Sequence, residues 1–327
     1  MPLSILIIRL SSLGDIILTT PLVQAIREKY SDARIDFVVK SEFKGIVEQF
    51  SWLSNIYTLD TTQTEGGMKD LSTKLQNNSY DHVLDLHNNF RSIKLRRGLP
   101  ENIHVINKRS FKRWLLVKSK FNLLGNEPDI IGRYFETAIG LGVTDTGGAS
   151  TFGKVFPKSN QKTVALCPGA KHWNKRWPAE YYTELSQHLI ASGYLIHFHG
   201  SLSERDYVEE IANQLPNESY VNLCGEISLN QLPEKIAECS FAVTNDSGLM
   251  HVAAAVGIQT YSIFGPTVRA LGFMPRNTNV TIVENLDLSC RPCTTIGLDT
   301  CPKDHFKCMK EITPQMLLEH IDLRISA

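Results

Sequence analysis

The sequence has no excess of charge of either sign: 34 lysines and arginines balance 34 aspartates and glutamates. A chain built to hold nucleic acid along its surface carries a global basic footprint, and this one does not. No run is long and apolar enough to span a bilayer. The opening MPLSILIIRL has no basic region ahead of its apolar residues, so it reads as a first β-strand and not as a secretory signal. Short-period repeats and long low-complexity tracts are missing as well. Cysteine is scarce and odd in number. Seven residues without a signal fit a reducing cytoplasm better than a disulfide framework.

At 327 residues and 42% hydrophobic content, the chain can build two domains with real cores. Strand-like and helix-like patterns alternate almost throughout, which argues an α/β protein with parallel sheets. In the first half, residues 3–10, 35–39, 82–86 and 103–106 read as strands, with helical patterns at 22–30 and 68–76. Pro21 fits the first position of a helix capped by Thr20; alternatively the helix starts near Asp15 and kinks at Pro21. At 142–163 Gly, Ser, Thr and Lys replace periodicity, the mark of a linker with one short strand or turn. Strands then resume at 163–166, 194–199, 220–223, 241–244, 259–264 and 280–283, with helices at 179–191, 204–215 and 229–239. The expected architecture is two doubly wound domains, 1–150 and 151–327, facing a cleft. Ligands of such sheets bind beyond the carboxyl ends of strands. The polar clusters fall there, at 11–15, 168–175, 200–205, 245–251 and 265–269.

The stretch SFAVTNDSGLMHVAAAVG carries most information. An apolar strand ends in Asn245-Asp246-Ser247-Gly248, and an Ala-rich helix follows. First-turn amides of a helix lack partners and, with the dipole, form a site for an anion such as a diphosphate. Gly248 permits close approach, and Ser247 and His251, four apart, share a helix face. The plainer alternative makes Asp246 or Ser247 an N-cap. Asp246 would repel a phosphate, so a ribose hydroxyl or distal sugar suits it better. In PGAKHWNKRWP, Lys171, Lys175 and Arg176 concentrate positive charge at a strand end, where charge-assisted bonds to phosphate form. Trp177 reads as core. In GSLSERD, Glu204 either accepts from a ribose or begins a helix. In RLSSLGD, Gly14 gives a tight turn, and Asp15 is either a general base or a helix-start aspartate.

Three stretches in this order, ILIIRLSSLGDIILTTP, PGAKHWNKRWP and TNDSGLMHVAAAVG followed by SIFGPT, resemble glycosyltransferase family 9, which contains the ADP-heptose:lipopolysaccharide heptosyltransferases. The likeness runs from Ile5 to about Ile312. It implies a GT-B fold, with acceptor binding in the first Rossmann-like domain and nucleotide-sugar binding in the second. It also implies inverting transfer without a catalytic metal. Asp15 matches the family's base and Lys175 the lysine that neutralises the donor diphosphate. Asp246, Ser247, Gly248 and His251 match its D-[ST]-G-x-x-H donor site, and Glu204 falls near its ribose-contacting glutamate. Ala170 and Lys171 depart from the hydroxyl residues found there in better-known members, and the loop TVRALGFMPR departs from a proline-rich one.

Between Arg91 and Lys120 the only acidic residue is Glu101, while Arg91, Lys94, Arg109, Lys112 and Arg113 are basic and Phe111, Trp114 and Phe121 are interleaved. An anionic glycolipid acceptor or the anionic face of the inner membrane fits this charge, and so does a merely solvated helix face. Ser12, Gly14, Arg91, Arg109 and Arg113 are the acceptor-side residues expected. Cys290-x2-Cys293-x7-Cys301-x6-Cys308, with His305 nearby, opens with metal-ligand spacing and could hold a structural Zn²⁺. Cys167, Cys224 and Cys239 read as core. The expected activity is transfer of heptose from ADP-heptose to the lipopolysaccharide inner core in the cytoplasm. The alternatives are a family 9 transferase using another nucleotide sugar, a GT-B sugar epimerase and a non-catalytic nucleotide-binding module.

Overall fold

The computed structural model describes residues 2–62, 65–99, 102–159 and 161–321. The chain forms two compact units. One runs to Ser110 and resumes over Pro128–Val155; the other takes Phe111–Glu127 and continues from Phe156.

The first unit holds five strands, β1 (Ser4–Ile8), β2 (Arg34–Lys40), β3 (Asn55–Leu59), β4 (His82–Asp85) and β5 (Ile103–Val105), in the order β3-β2-β1-β4-β5. Every neighbouring pair is parallel. Central strands of such a sheet are covered on both faces and read as unbroken apolar runs; β1 is buried at every position. After β1, two short helices, Leu13–Ile17 and Thr20–Lys29, stand where the sequence left a single start open. Pro21 lies in the first turn of the second and has no N–H to offer Ile17. The Thr20 hydroxyl donates to that carbonyl instead, at 2.8 Å. Asp15 therefore sits on its own helical turn, detached from the helix that Pro21 begins.

The second unit holds β6 (Thr163–Cys167), β7 (Leu195–Phe198), β8 (Tyr220–Asn222), β9 (Phe241–Asn245), β10 (Gln259–Phe264) and β11 (Val280–Glu284), again all parallel, in the order β11-β10-β9-β6-β7-β8. In both sheets the order reverses beside the first strand: between β1 and β4 in one, between β6 and β9 in the other. These are topological switch points, where diverging connections open a crevice at the strands' carboxyl ends. The residues after β1 and β4, and those after β6 and β9, are placed there by topology alone.

Three features differ from the pattern read in the sequence. β3 escapes it, because NIYTL is a partly exposed strand at the sheet edge with little apolar alternation. Segment Phe111–Glu127 belongs to the second unit, where Leu116 and Leu124 pack with Leu271. The linker expected at 142–163 carries neither helix nor strand until β6 among its described residues. At the far end, helix Pro314–His320 packs on helix Ala179–Ala191 of its own unit, with Leu317 in the core. The sequence over 314–325 reads as one C-terminal helix, of which 322–325 lie outside the described residues.

Trp177 anchors the second core, as its sequence context suggests. It is fully buried, and its indole N–H donates to the Ile312 carbonyl at 2.7 Å. Trp177→Ala is expected to cost about 3–5 kcal/mol of stability, read as a lower urea midpoint. Trp177→Phe should lose less, since it keeps most of the packing and forfeits the one hydrogen bond.

Candidate active site

In the first unit the site is built on the switch point. Asp15 Oδ2 accepts from the Ser12 hydroxyl at 2.7 Å and from the Ser12 amide at 3.3 Å. It also pairs with Arg9 at 2.8 Å. Arg9 is itself buried, donates to the Leu86 carbonyl at 2.6 Å beyond β4, and lies over the Tyr134 ring. The Tyr134 hydroxyl donates to the Asp15 backbone carbonyl at 3.4 Å. A carboxylate gripped through one oxygen on a short helical turn has a fixed orientation, which is what proton transfer requires of a base. Beside it, burial pushes the His87 imidazole down to about 3, with Arg9 and Lys108 adding to the fall and Asp15 opposing it. His87 follows Asp85, whose Oδ1 accepts from the amides of His87 and Asn88 and whose Oδ2 pairs with Arg96.

Gly14 is buried inside the turn, and Ser12 is exposed at its cap. Arg91 is exposed on helix Phe90–Arg96. Arg109 pairs with Glu136 at 2.7 Å in the same unit. Arg113 falls in the second unit, over the Phe273 ring. The five acceptor-side residues are thus divided between the two units.

In the second unit the residues after β6 and β9 meet. The Asn245 side chain donates to the Pro168 carbonyl at 2.7 Å and accepts from the Trp177 amide at 3.1 Å, tying the two strand ends together. Lys175 ends the 3₁₀ turn Trp173–Lys175 and pairs with Asp246 at 2.6 Å. The Thr267 hydroxyl also donates to Asp246, at 2.5 Å. Burial raises the Asp246 carboxyl, but Lys175, Thr267 and His251 outweigh it, and the net shift is downward. A depressed carboxyl stabilises the fold above its unfolded-state pKa, and that contribution is lost only as pH falls through the lower, folded value. The Lys175–Asp246 pair therefore holds at neutral pH.

Helix Gly248–Val256 begins two residues after Asp246. Ser247 occupies its N-cap position, yet makes no capping bond; its hydroxyl is buried and has no hydrogen-bond partner among the described residues. Asp246 is occupied by Lys175 and Thr267. The plain capping alternative therefore fails for both residues, and the first-turn amides of Gly248–Val256 point to no side-chain cap. His251 lies buried one turn along and acts electrostatically on Asp246.

Glu204 joins this side. Its Oε2 accepts from the Ser201 amide at 2.7 Å and hydroxyl at 2.8 Å, so the helix-start reading holds for that oxygen. The carboxylate also lies against Gly169, where an added Cβ would come within 2.1 Å of Oε1. Only glycine leaves room for that approach. Arg176 donates to the Ala170 carbonyl at 2.9 Å and covers the Tyr207 ring, whereas Lys171 is exposed.

Cysteines 290, 293, 301 and 308 share one neighbourhood, close enough for the other three to oppose ionisation of Cys308. Cys290 Sγ lies 3.9 Å from His305 Nε2. No three donor atoms of this set lie within 4.8 Å of one another, so the sulfurs do not stand at ligand spacing.

Several of these residues escape inspection of the sequence. Arg9 directly follows buried β1 and His87 lies two residues past β4, and that position was their only signal. Thr267 and Asn245 act through contacts distant in sequence. Arg291, buried, donates to the Gly265 carbonyl at 2.5 Å and to the Thr267 carbonyl at 2.8 Å and pairs with Glu284. It thereby fixes the loop from which Thr267 reaches Asp246.

Known proteins share this fold. The family model for Glycosyltransferase family 9 (heptosyltransferase) matches residues 68–302. The chain belongs to glycosyltransferase family 9. It is 26% identical to lipooligosaccharide heptosyltransferase 2 of Haemophilus influenzae, across 98% of this chain and 99% of that one. It is 35% identical to lipooligosaccharide heptosyltransferase 2 of Campylobacter jejuni, where the match spans about half of each chain, 50% and 52%. The solved Escherichia coli ADP-heptose lipopolysaccharide heptosyltransferase II superposes with a TM-score of 0.74, at 25% identity over 98% of both chains. The two parallel-sheet units are those of the GT-B heptosyltransferases.

Proposed function

We propose that this protein transfers a heptose from ADP-heptose to the inner core of lipopolysaccharide, with inversion at the anomeric carbon. The observation that carries the reading is the open end of helix Gly248–Val256. The buried Ser247 hydroxyl without a partner and the Lys175–Asp246 pair stand beside it at a switch point. Unsatisfied buried donors at a helix start suit a diphosphate. The family resemblance and the heptosyltransferases matched along nearly the whole chain direct the choice of sugar.

In the proposed reaction the acceptor hydroxyl attacks the anomeric carbon and passes its proton to Asp15. The bond from that carbon to the phosphate oxygen breaks, and ADP leaves with the electron pair. Lys175 and the first-turn amides at 248 and beyond meet the developing negative charge, a fixed field in place of a metal ion. Asp246 offsets part of the ammonium's reach but holds it in one position. Glu204 is assigned to the ribose, and Lys171 and Arg176 to the rim of the donor site. Ser12, Gly14 and Arg91 are assigned to the acceptor. Arg109 and Arg113 would join them by exchanging Glu136 and Phe273 for its anionic groups. A structural zinc on cysteines 290, 293, 301 and 308 lies outside this chemistry and needs their sulfurs to close up.

No helix among the described residues is long and apolar enough to cross a membrane. We assign the protein to the cytoplasmic face of the inner membrane, held there peripherally. Phe111, 69% exposed, and Trp114, 53% exposed, lie among lysines on helix Ser110–Ser119 and would meet the anionic lipid surface. The reading is tested by incubating the protein with ADP-heptose and a deacylated inner-core acceptor and weighing the product. One added heptose is expected. An unchanged acceptor, or addition from a UDP- or GDP-linked sugar instead, would overturn it.

A further inference from the structure

Away from the donor residues, three metal-ligating side chains converge in the second unit. His197 lies on β7 and His199 directly follows its last residue; two apart on extended chain, they project to one side. Cys239 follows helix Leu232–Ala237 and precedes β9. One donor atom from each of the three lies within 4.8 Å of the other two. Ala165, the register partner of His197 on the intervening β6, places only a methyl group on that face.

Hydrogen bonding does not account for these residues. His199 is 1% exposed, and neither of its ring nitrogens has a partner among the described residues; the same holds for His197 Nδ1. An aliphatic side chain would fill either position without burying unsatisfied polar atoms. The Cys239 thiol makes one long contact, to the Lys235 carbonyl at 3.7 Å. Two imidazoles with unpaired nitrogens and a weakly bonded thiol, clustered this closely, form a ligand set.

We propose that His197, His199 and Cys239 hold one divalent transition-metal ion, with Zn²⁺ the best match to two imidazoles and a thiolate. The fourth position falls to water. The ion would tie β7 to the entry of β9. His199 leads directly into the turn at 200–204, so the ion would also steady the segment that carries Glu204. Its role is structural, separate from the transfer reaction. Burial keeps the His199 imidazole neutral, its pKa pushed down to about 3, so its lone pair is available. Burial pushes the Cys239 thiol up to about 12, so binding must displace its proton and release it to solvent.

The test uses the full chain, stripped with a chelator, dialysed and titrated with Co²⁺ and then Zn²⁺. The wild type should take up Co²⁺ with tetrahedral visible bands and a near-ultraviolet thiolate charge-transfer band, which Zn²⁺ abolishes. That band should vanish in Cys239→Ser and persist in the Cys290→Ser/Cys293→Ser variant, which separates this site from the four-cysteine cluster. Affinity should fall by about a hundredfold or more in His199→Gln, since even outer-shell partners of a metal are worth up to that much. His197→Asn, at a half-buried position, should fall likewise without disturbing packing. Circular dichroism of each metal-free variant establishes that it folds. A wild type without the charge-transfer band, or a folded Cys239→Ser or His197→Asn variant that binds as the wild type does, would overturn the proposal.

Discussion

Asp15→Asn is expected to lower the turnover number by about 10²–10⁴-fold, the usual contribution of a general base, while ADP binding stays within about twofold of wild type. Asparagine is the informative replacement. Asp15 Oδ2 accepts from Ser12 and pairs with Arg9, and an amide oxygen can keep the hydrogen bonds and the turn while losing the capacity to take a proton. Asp15→Ala should be as inactive, but it also leaves buried Arg9 without its carboxylate and so mixes a structural loss with a chemical one. Single-turnover rates and calorimetric ADP binding on the same preparations separate the two. An Asp15→Asn enzyme turning over at near wild-type rate would remove Asp15 from the base role.

Lys175→Met is expected to cost about 10²–10³-fold in turnover, the scale seen when one preorganised donor to developing negative charge is removed. The geometry adds a complication. Lys175 and Asp246 are both largely buried, with side-chain exposures of 13% and 9%, and removing the lysine strands a carboxylate. Breaking such a pair typically costs about 3–5 kcal/mol in stability. The double variant Lys175→Met/Asp246→Asn removes both charges and should recover most of that stability, but none of the turnover. A double-mutant cycle in urea denaturation, run beside kinetics, reads the two effects independently. If the double variant regained activity together with stability, Lys175 would be a structural residue and the leaving group would be met elsewhere.

Much of this was legible before any coordinates. Among the described residues, ten of the eleven strands follow from apolar runs bounded by turns, and helix Ala179–Ala191 was bounded by its pattern and Pro178. The sequence could also place Asp15, Lys175 and Asp246 through Gly248 at strand ends, because a parallel sheet gathers its polar turns at one edge. Partnership was not legible. Asp246 looked like a phosphate's enemy and proves to be Lys175's partner, a pairing across 71 positions that no local pattern encodes. Ser247 looked like a cap and makes no capping bond, which only geometry can show. Segment Phe111–Glu127 carries a basic, aromatic surface whose few apolar anchors, Leu116 and Leu124, find Leu271 far along the chain. Cys239 reads as core because a buried thiol behaves as a small apolar group; its meeting with His197 and His199 depends on β6 lying between β7 and β9.

The central claim is that sugar leaves ADP only when an acceptor is there to receive it. The most direct measurement is the rate of ADP release from ADP-heptose by the purified protein, with and without deacylated inner-core acceptor. Release that rises by orders of magnitude on adding acceptor, and that Asp15→Asn abolishes, is the predicted result. Release at one rate regardless of acceptor, or none from ADP-heptose under either condition, would contradict it.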